Sequence, residues 1–272
     1  MTARRAAPPA PAPEAPAPVH VAEPSLATAI EPDPVPEAPE PPPEAPQPEV
    51  VEPEPAPRPM PRRIEIRYAL TTGEESVQLG VVYGEWALEG DRYVARAVAE
   101  AKGLLALFFS GQVVAESRGT LTPQGLRPDS YTFRRGMLER TDVVQFDWSA
   151  MSATMTSRGG TQRVPLRRDS QDQLSFIFQF AFAYPGEGEY VFNVLTGRKA
   201  DSYTYRTQGE EKIETFLGPF RTRRVDRLRE PGDRSVDAWL AVEFYHLPVR
   251  LRLTDKSGQS ADLMVTALRI EP

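Results

Sequence analysis

The sequence predicts a mainly β domain, a curved antiparallel sheet in half-barrel or open-barrel form with one apolar helix packed on it, preceded by a disordered proline-rich segment. Three observations carry this expectation. Of 29 prolines in 272 residues, 21 fall at or before Pro61, whereas all 18 glycines and every Phe, Tyr and Trp lie after it. From Ile64 onward, short stretches alternate apolar with polar side chains and are separated by turns rich in Gly and Pro, as in a meander of half-buried strands. One stretch, Ser170–Tyr184, breaks that pattern by being apolar on nearly every side.

The first element is residues 1–61, which are almost wholly Pro, Ala, Glu and Val. Proline fixes φ, removes a backbone donor and drives its predecessor out of the α region, so neither helix nor sheet propagates. Without aromatic residues no core offsets the lost chain entropy, and a stiff, disordered tether is expected. At about 3.1 Å per residue, Ala6–Pro61 would reach roughly 170 Å fully extended. The chain carries a formal charge of −6, but residues 1–61 hold 3 Arg against 10 Asp/Glu, which leaves residues 62–272 close to neutral at +1.

Residues 62–272 form the predicted antiparallel β domain. Ile64, Ile66, Tyr68 and Leu70 fall on one face of the first strand, with Arg63, Glu65 and Arg67 on the other. Val77–Leu88 and Arg92–Ala101 read as a hairpin about Glu89-Gly90-Asp91. Further strands are expected at Gln112–Leu121, Ser130–Arg135, Asp142–Trp148, Ser152–Thr156, Gln162–Leu166 and Tyr190–Val194. The C-terminal third adds Asp201–Thr207, Lys212–Phe216, Phe220–Arg229, Ser235–Ala241, Val249–Asp255 and Ala261–Ile270. Asp129-Ser130-Tyr131-Thr132-Phe133-Arg134 recurs as Asp201-Ser202-Tyr203-Thr204-Tyr205-Arg206, which fits two strands with the same alternation better than a duplication.

Ser170-Gln171-Asp172-Gln173 fits a capping box with Ser170 as the N-cap, and Leu174, Ile177, Phe178 and Ala181 follow at helical spacing before Pro185-Gly186. Phe176, Phe178, Phe180 and Phe182 also alternate with period two, so a strand reading stays open beside the favoured helix. Leu104–Phe109 is a second short apolar element, positioned to lie across an opening.

The composition excludes several kinds of chemistry. With no cysteine there is no disulfide framework, thiolate metal site or cysteine nucleophile. His246 is the one histidine after Pro61, and a polar turn residue suits it better than a general base. No carboxylate run has the ligand spacing of a calcium loop, and no Gly-rich phosphate loop occurs, so no metal or cofactor is expected. Arginines cluster at Arg134-Arg135, Arg167-Arg168 and Arg221-Thr222-Arg223-Arg224. A domain of charge +1 is not a nucleic-acid binder, and strand faces paired with Asp and Glu account for these clusters.

The C-terminal third carries a resemblance. Thr215-Phe216-Leu217-Gly218-Pro219-Phe220-Arg221-Thr222, Asp237-Ala238-Trp239-Leu240-Ala241 and Leu247-Pro248-Val249-Arg250 resemble the proteobacterial family DUF3108, a domain of unknown function. Ala101-Lys102-Gly103-Leu104, Gly125-Leu126-Arg127-Pro128 and Gln171-Asp172-Gln173-Leu174-Ser175 match as well, so the resemblance covers roughly residues 64–270. Members commonly carry a hydrophobic N-terminal segment and a Pro-rich linker, which implies a periplasmic or cell-envelope location. This sequence has the linker but not the hydrophobic segment. An upstream start with a membrane anchor would place it in the envelope, and Met1 as the true start would place it in the cytoplasm. The pattern is also distantly similar to periplasmic lipoprotein-carrier half-barrels, in which a curved sheet covers an apolar cavity.

These readings favour a non-enzymatic module over a catalyst, with an unrecognised hydrolase as the minor alternative. The partner expected is a lipid or other apolar ligand, lined by Leu104, Phe108, Phe109, Phe176, Phe178, Phe180 and Trp239. The same side chains would equally fill a closed core. The other reading is an interaction protein that docks a second envelope protein, with the linker as spacer.

Overall fold

The computed structural model describes residues 60–72, 77–102, 111–136, 140–230 and 232–272. Apart from Met60 and Pro61, the segment expected to be a tether lies outside these residues. Among them fifteen strands and one helix follow in the order β1 (Arg63–Thr72), β2 (Gln78–Glu89), β3 (Arg92–Ala101), β4 (Val113–Thr122), β5 (Gly125–Arg135), β6 (Arg140–Asp147), β7 (Ser152–Ser157), β8 (Gly160–Pro165), β9 (Ser170–Asp172), α1 (Gln173–Phe182), β10 (Gly188–Leu195), β11 (Ala200–Thr215), β12 (Gly218–Leu228), β13 (Ser235–Ala241), β14 (Leu247–Thr254) and β15 (Ser260–Glu271).

All fifteen strands belong to one sheet, ordered β8-β7-β6-β5-β4-β3-β2-β1-β15-β14-β13-β12-β11-β10-β9. Every neighbouring pair is antiparallel except β9 and β10, which run parallel. The first and last strands therefore meet in the middle, and hairpins lead outward from them on both sides. The two edges, β8 and β9, are consecutive in sequence yet share no ladder, so the sheet is curved and open rather than closed.

Side chains bridge the two wings instead. Ser117 Oγ on β4 donates to Asp172 Oδ2 at 2.6 Å, and Gln171 Nε2 on β9 donates to Leu126 O at 2.7 Å. Near the other end of the gap, Arg198 Nε donates to Asp142 Oδ2 at 2.9 Å. Gly197 approaches β6 so closely that a Cβ there would stand 2.3 Å from Asp142 Cβ. Only a residue without a side chain permits that approach.

Most elements match the sequence expectation. Ile64, Ile66 and Tyr68 are the buried face of β1. The strands expected separately at Asp201–Thr207 and Lys212–Phe216 are one strand, β11, whose register against β12 shifts between Thr207 and Glu210. The charged stretch between them is stabilised across the ladder, where Arg223 Nη2 donates to Glu210 Oε1 at 3.0 Å.

The helix starts later than expected. Ser170–Asp172 are buried and pair with β10 as β9, and the N-cap is Asp172 rather than Ser170. Asp172 Oδ1 accepts from the backbone N–H groups of Leu174 and Ser175, each at 2.8 Å, and the Ser175 hydroxyl accepts from the Asp172 N–H at 3.0 Å. Ser170 instead accepts from the Arg167 N–H in the preceding turn. A carboxylate that takes two orphan donors outcompetes a serine hydroxyl for the cap.

The period-two phenylalanines also find their explanation. Two residues of helix turn through about 200°, so alternate positions point to opposite sides. Phe176 and Phe180 pack with Phe192, and Phe176 also meets Tyr205, in the C-terminal wing. Phe178 and Phe182 meet Trp86 in the N-terminal wing, at ring-centroid distances of 5.6 and 4.4 Å. One helix thus packs on the concave face of both wings, which explains its all-round apolar character.

Candidate functional site

Two neighbouring cross-strand rows on the concave face of the N-terminal wing determine where the interior is filled. In the first, Ile64, Trp86, Ala95, Ser117, Tyr131, Val144 and Met155 lie opposite one another across β1 to β7. All are essentially inaccessible to solvent. Two residues along, the second row reads Ile66, Gly84, Ala97, Ala115 and Phe133. Its three central members have almost no side chain; Ile66 Cγ2 covers Gly84, and beside Ala97 and Ala115, under α1, lies a cavity of about 450 Å³. Ile66, Tyr68, Leu251 and Leu263 from the sheet, with Leu174, Phe176, Ile177 and Phe178 from α1, complete its apolar wall.

The polar lining is concentrated at one end. Lys199 directly precedes β11, Tyr203 lies on that strand, Arg227 lies near the end of β12, and Arg234 and Ser235 introduce β13. Arg227 reaches this place because the β12–β13 ladder stops at Val225 opposite Ala238. Beyond that pair its backbone N–H donates to Asp237 Oδ1 at 3.0 Å, and Nη1 of its guanidinium donates to the Arg234 carbonyl. The guanidinium lies 4.1 Å from the Tyr203 ring centroid, a cation–π contact. Its Nε is buried and has no hydrogen-bond partner among the described residues.

Asp201 bonds both Lys199 Nζ and the Tyr203 hydroxyl. That carboxylate, followed by the Tyr203 oxygen, raises the Lys199 ammonium above the ordinary lysine range, while burial pushes the Tyr203 phenol up. Tyr203 and Arg227 also border a shallow polar depression on the outside, with Ser202, Arg229 and Asp233. They are the boundary between the apolar interior and solvent.

Beside the cavity stands a buried chain of polar groups. The Tyr93 hydroxyl and Ser117 Oγ are 3.1 Å apart, and Ser117 donates onward to Asp172. Burial pushes the Asp172 carboxyl up to about 6, against the opposing hydrogen bonds from Ser117 and from the N–H groups of Ser175 and Leu174. Asp172 is held by helix capping, its carboxylate accepting from Ser117 and from the N–H groups of Leu174 and Ser175, and among the described residues no basic side chain hydrogen-bonds to it.

Of the sequence-derived lining residues, Phe176 and Phe178 do border the cavity. Phe180 faces a separate, nearly filled space with Phe176, Tyr205 and Val225. Leu104, Phe108 and Phe109 lie outside the described residues. Trp239 is corrected: strand alternation sends Ala238 and Leu240 into the core, and Trp239 lies on the opposite, convex face. There its ring sits under Arg224, Arg250 and Arg252, and its Nε1 donates to Glu211 Oε1 at 2.8 Å. A tryptophan 5 % exposed signals burial but not on which side of a sheet, and arginine stems cover this one.

The remaining candidates have structural explanations. His246 lies in the β13–β14 turn with φ 51, donates its N–H to Ala241 O at 3.0 Å and stacks on Tyr184 at 4.3 Å. Arg221, Arg223 and Arg224 pair with Glu243, Glu210 and Asp226. Sequence reasoning missed Gly84, Ala97, Ala115, Lys199, Tyr203, Arg227 and Arg234. A signal was present for the small residues, because alanines repeated at Ala95, Ala97 and Ala99 are poor strand formers and mark a sheet face with room above it. No such signal marked the cations.

Among known proteins, the family described as protein of unknown function DUF3108 matches residues 63–266. No curated protein matches the chain. Among solved structures it is similar to the beta-barrel-like protein of domain of unknown function DUF1849 from Brucella abortus, with 9 % sequence identity and a TM-score of 0.48 over 76 % of this chain and 97 % of that one. No helix among the described residues is long and apolar enough to cross a membrane.

Proposed function

The chain belongs to the DUF3108 family, whose description assigns no activity, and we propose that its half-barrel binds an apolar or amphipathic small molecule between α1 and the sheet. The observation that carries this reading is the cavity of about 450 Å³ beneath the Gly84–Ala97–Ala115 row. Its size falls within the roughly 300–1,000 Å³ of small-molecule sites. Gly84 must stay small because a Cβ there would stand 2.8 Å from Ile66 Cγ2, but a domain that needed only a core would place Leu or Val at Ala97 and Ala115, as close packing is the rule in protein interiors. Apolar walls with polar groups gathered at one end suit a ligand with one apolar part.

The reading has a quantitative test. Each methylene moved from water into an apolar site contributes about 0.8 kcal/mol, or about a fourfold gain in affinity. Straight-chain alcohols of increasing length, titrated against the full-length chain with bound N-phenylnaphthylamine as a fluorescent reporter, are expected to displace it with affinity rising by about that factor per methylene. The rise should stop abruptly once the cavity is filled. No displacement at any length, or displacement independent of length, would show that the cavity is not a ligand site.

A further inference from the structure

We infer that the ligand is a single-chain amphiphile with an anionic head, its chain under α1 and its head at the mouth formed by Tyr203, Arg227 and Arg234. This rests on the reading of the cavity as a ligand site and adds the chemistry and direction of the ligand. The cations at the mouth are Lys199, Arg227 and Arg234, and the carboxylates next to them are Asp201, Asp233 and Asp237, the last accepting from the Arg227 backbone N–H. Asp201 neutralises Lys199. Asp233 stands 3.8 Å from Arg227 Nη2 with its side chain 53 % exposed, a weak pairing in high dielectric. Arg234 is exposed and forms no ion pair among the described residues.

The best-placed donor at the mouth is only partly used. Arg227 is buried to 16 % side-chain exposure, is fixed against Tyr203, and leaves Nε without a partner. A guanidinium held at the boundary between an apolar interior and solvent is suited to donate to a carboxylate or phosphate in a charge-assisted pair. The Tyr203 hydroxyl and Ser235 stand at the same rim. No other described part of the cavity wall carries a charge, so only one orientation places an anionic head beside cations and its chain against Leu, Ile and Phe.

The same displacement assay tests this with dodecanoate, dodecanol and butyrate on the full-length chain at neutral pH. Dodecanoate is expected to displace the reporter at about a tenfold lower concentration than dodecanol, or better, as fits a hydrogen bond to a charged group. Butyrate, a head with almost no chain, should fail. Arg227→Gln and, independently, the exposed Arg234→Gln should shrink the ratio of dodecanoate to dodecanol affinity, and a urea midpoint close to that of the unmodified chain shows that each variant is folded. Equal displacement by dodecanoate and dodecanol would overturn the anionic-head inference and leave the apolar site standing. A preference that survives in both variants, or displacement by butyrate, would also overturn it. If neither long-chain compound displaces the reporter, the cavity reading fails with it.

Discussion

Two rows of residues, only two positions apart along the same strands, serve opposite purposes. In the row of Ile64, Trp86, Ala95, Ser117, Tyr131, Val144 and Met155, Trp86 stacks on Tyr93 at 4.9 Å and meets two phenylalanines of α1. In the next row, the Ile66 side chain lies over Gly84, and Ala97 and Ala115 face α1 across empty space. Backbone, pairing and curvature are shared, so the difference lies in side-chain volume alone. The fold is held by one row and leaves room in the other, and binding is separable from stability by mutation.

The largest effect should come from the packed row. Trp86→Ala would remove a fully buried ring, and such truncations cost about 3–5 kcal/mol through lost transfer energy and residual cavity. The indole N–H has no hydrogen-bond partner among the described residues, so no polar contribution cushions or adds to the loss. Urea unfolding should show a lower midpoint with an unchanged slope. Phe176→Ala, on the cavity side of α1, should cost less, because its ring already borders unfilled space. Equal losses at both positions would mean that the cavity wall on α1 is packed as tightly as the row of Trp86.

Next in size is Asp172, joined to the packed row through Ser117. Burial holds its carboxyl near 6 in the folded protein, above the ordinary 3.8. A raised pKa means that the folded state binds the proton more tightly than the unfolded state does. The associated stability is full below about pH 4 and is lost as pH rises through about 6, on the order of 3 kcal/mol in all. Asp172→Asn can still accept from the Leu174 and Ser175 N–H groups, and should flatten that part of the pH profile. A wild-type stability that rises between pH 4 and 7, with the Asn variant parallel to it, would assign the shift to other groups.

These contrasts were unevenly legible in the sequence. The strands were readable because half-burial imposes period two, and Ile64, Ile66 and Tyr68 show it directly. The helix was readable as an element but ambiguous in type, since a helix buried between two wings can distribute Phe176, Phe178, Phe180 and Phe182 as a strand would. The repeated motif proved informative about the site. Tyr131 with Phe133 and Tyr203 with Tyr205 occupy corresponding places in it, and all four line the cavity from opposite wings. Trp239 was misassigned because sequence gives burial without its side, and Arg227 was missed because its role depends on a ladder that stops two residues earlier, at Val225. Long-range geometry of that kind leaves no local trace.

The smallest expected change in stability is also the one that separates the rows most cleanly. Ala95 and Ala97 are two residues apart on β3, the first in the packed row and fully buried, the second at the cavity wall. Ala95→Leu adds three carbons where none fit, and overpacking of that kind costs about 1–3 kcal/mol. Ala97→Leu places the same carbons into empty space and should leave the urea midpoint nearly unchanged, within about 1 kcal/mol, because the added side chain meets apolar walls. Its consequence falls on binding. The longest alcohol that still gains affinity should shorten by several methylenes, since the leucine occupies the volume that they would fill. Should Ala97→Leu destabilise the protein as much as Ala95→Leu, the space under α1 is closed in solution. A chain-length limit that stays put in a stable Ala97→Leu protein would place the ligand elsewhere.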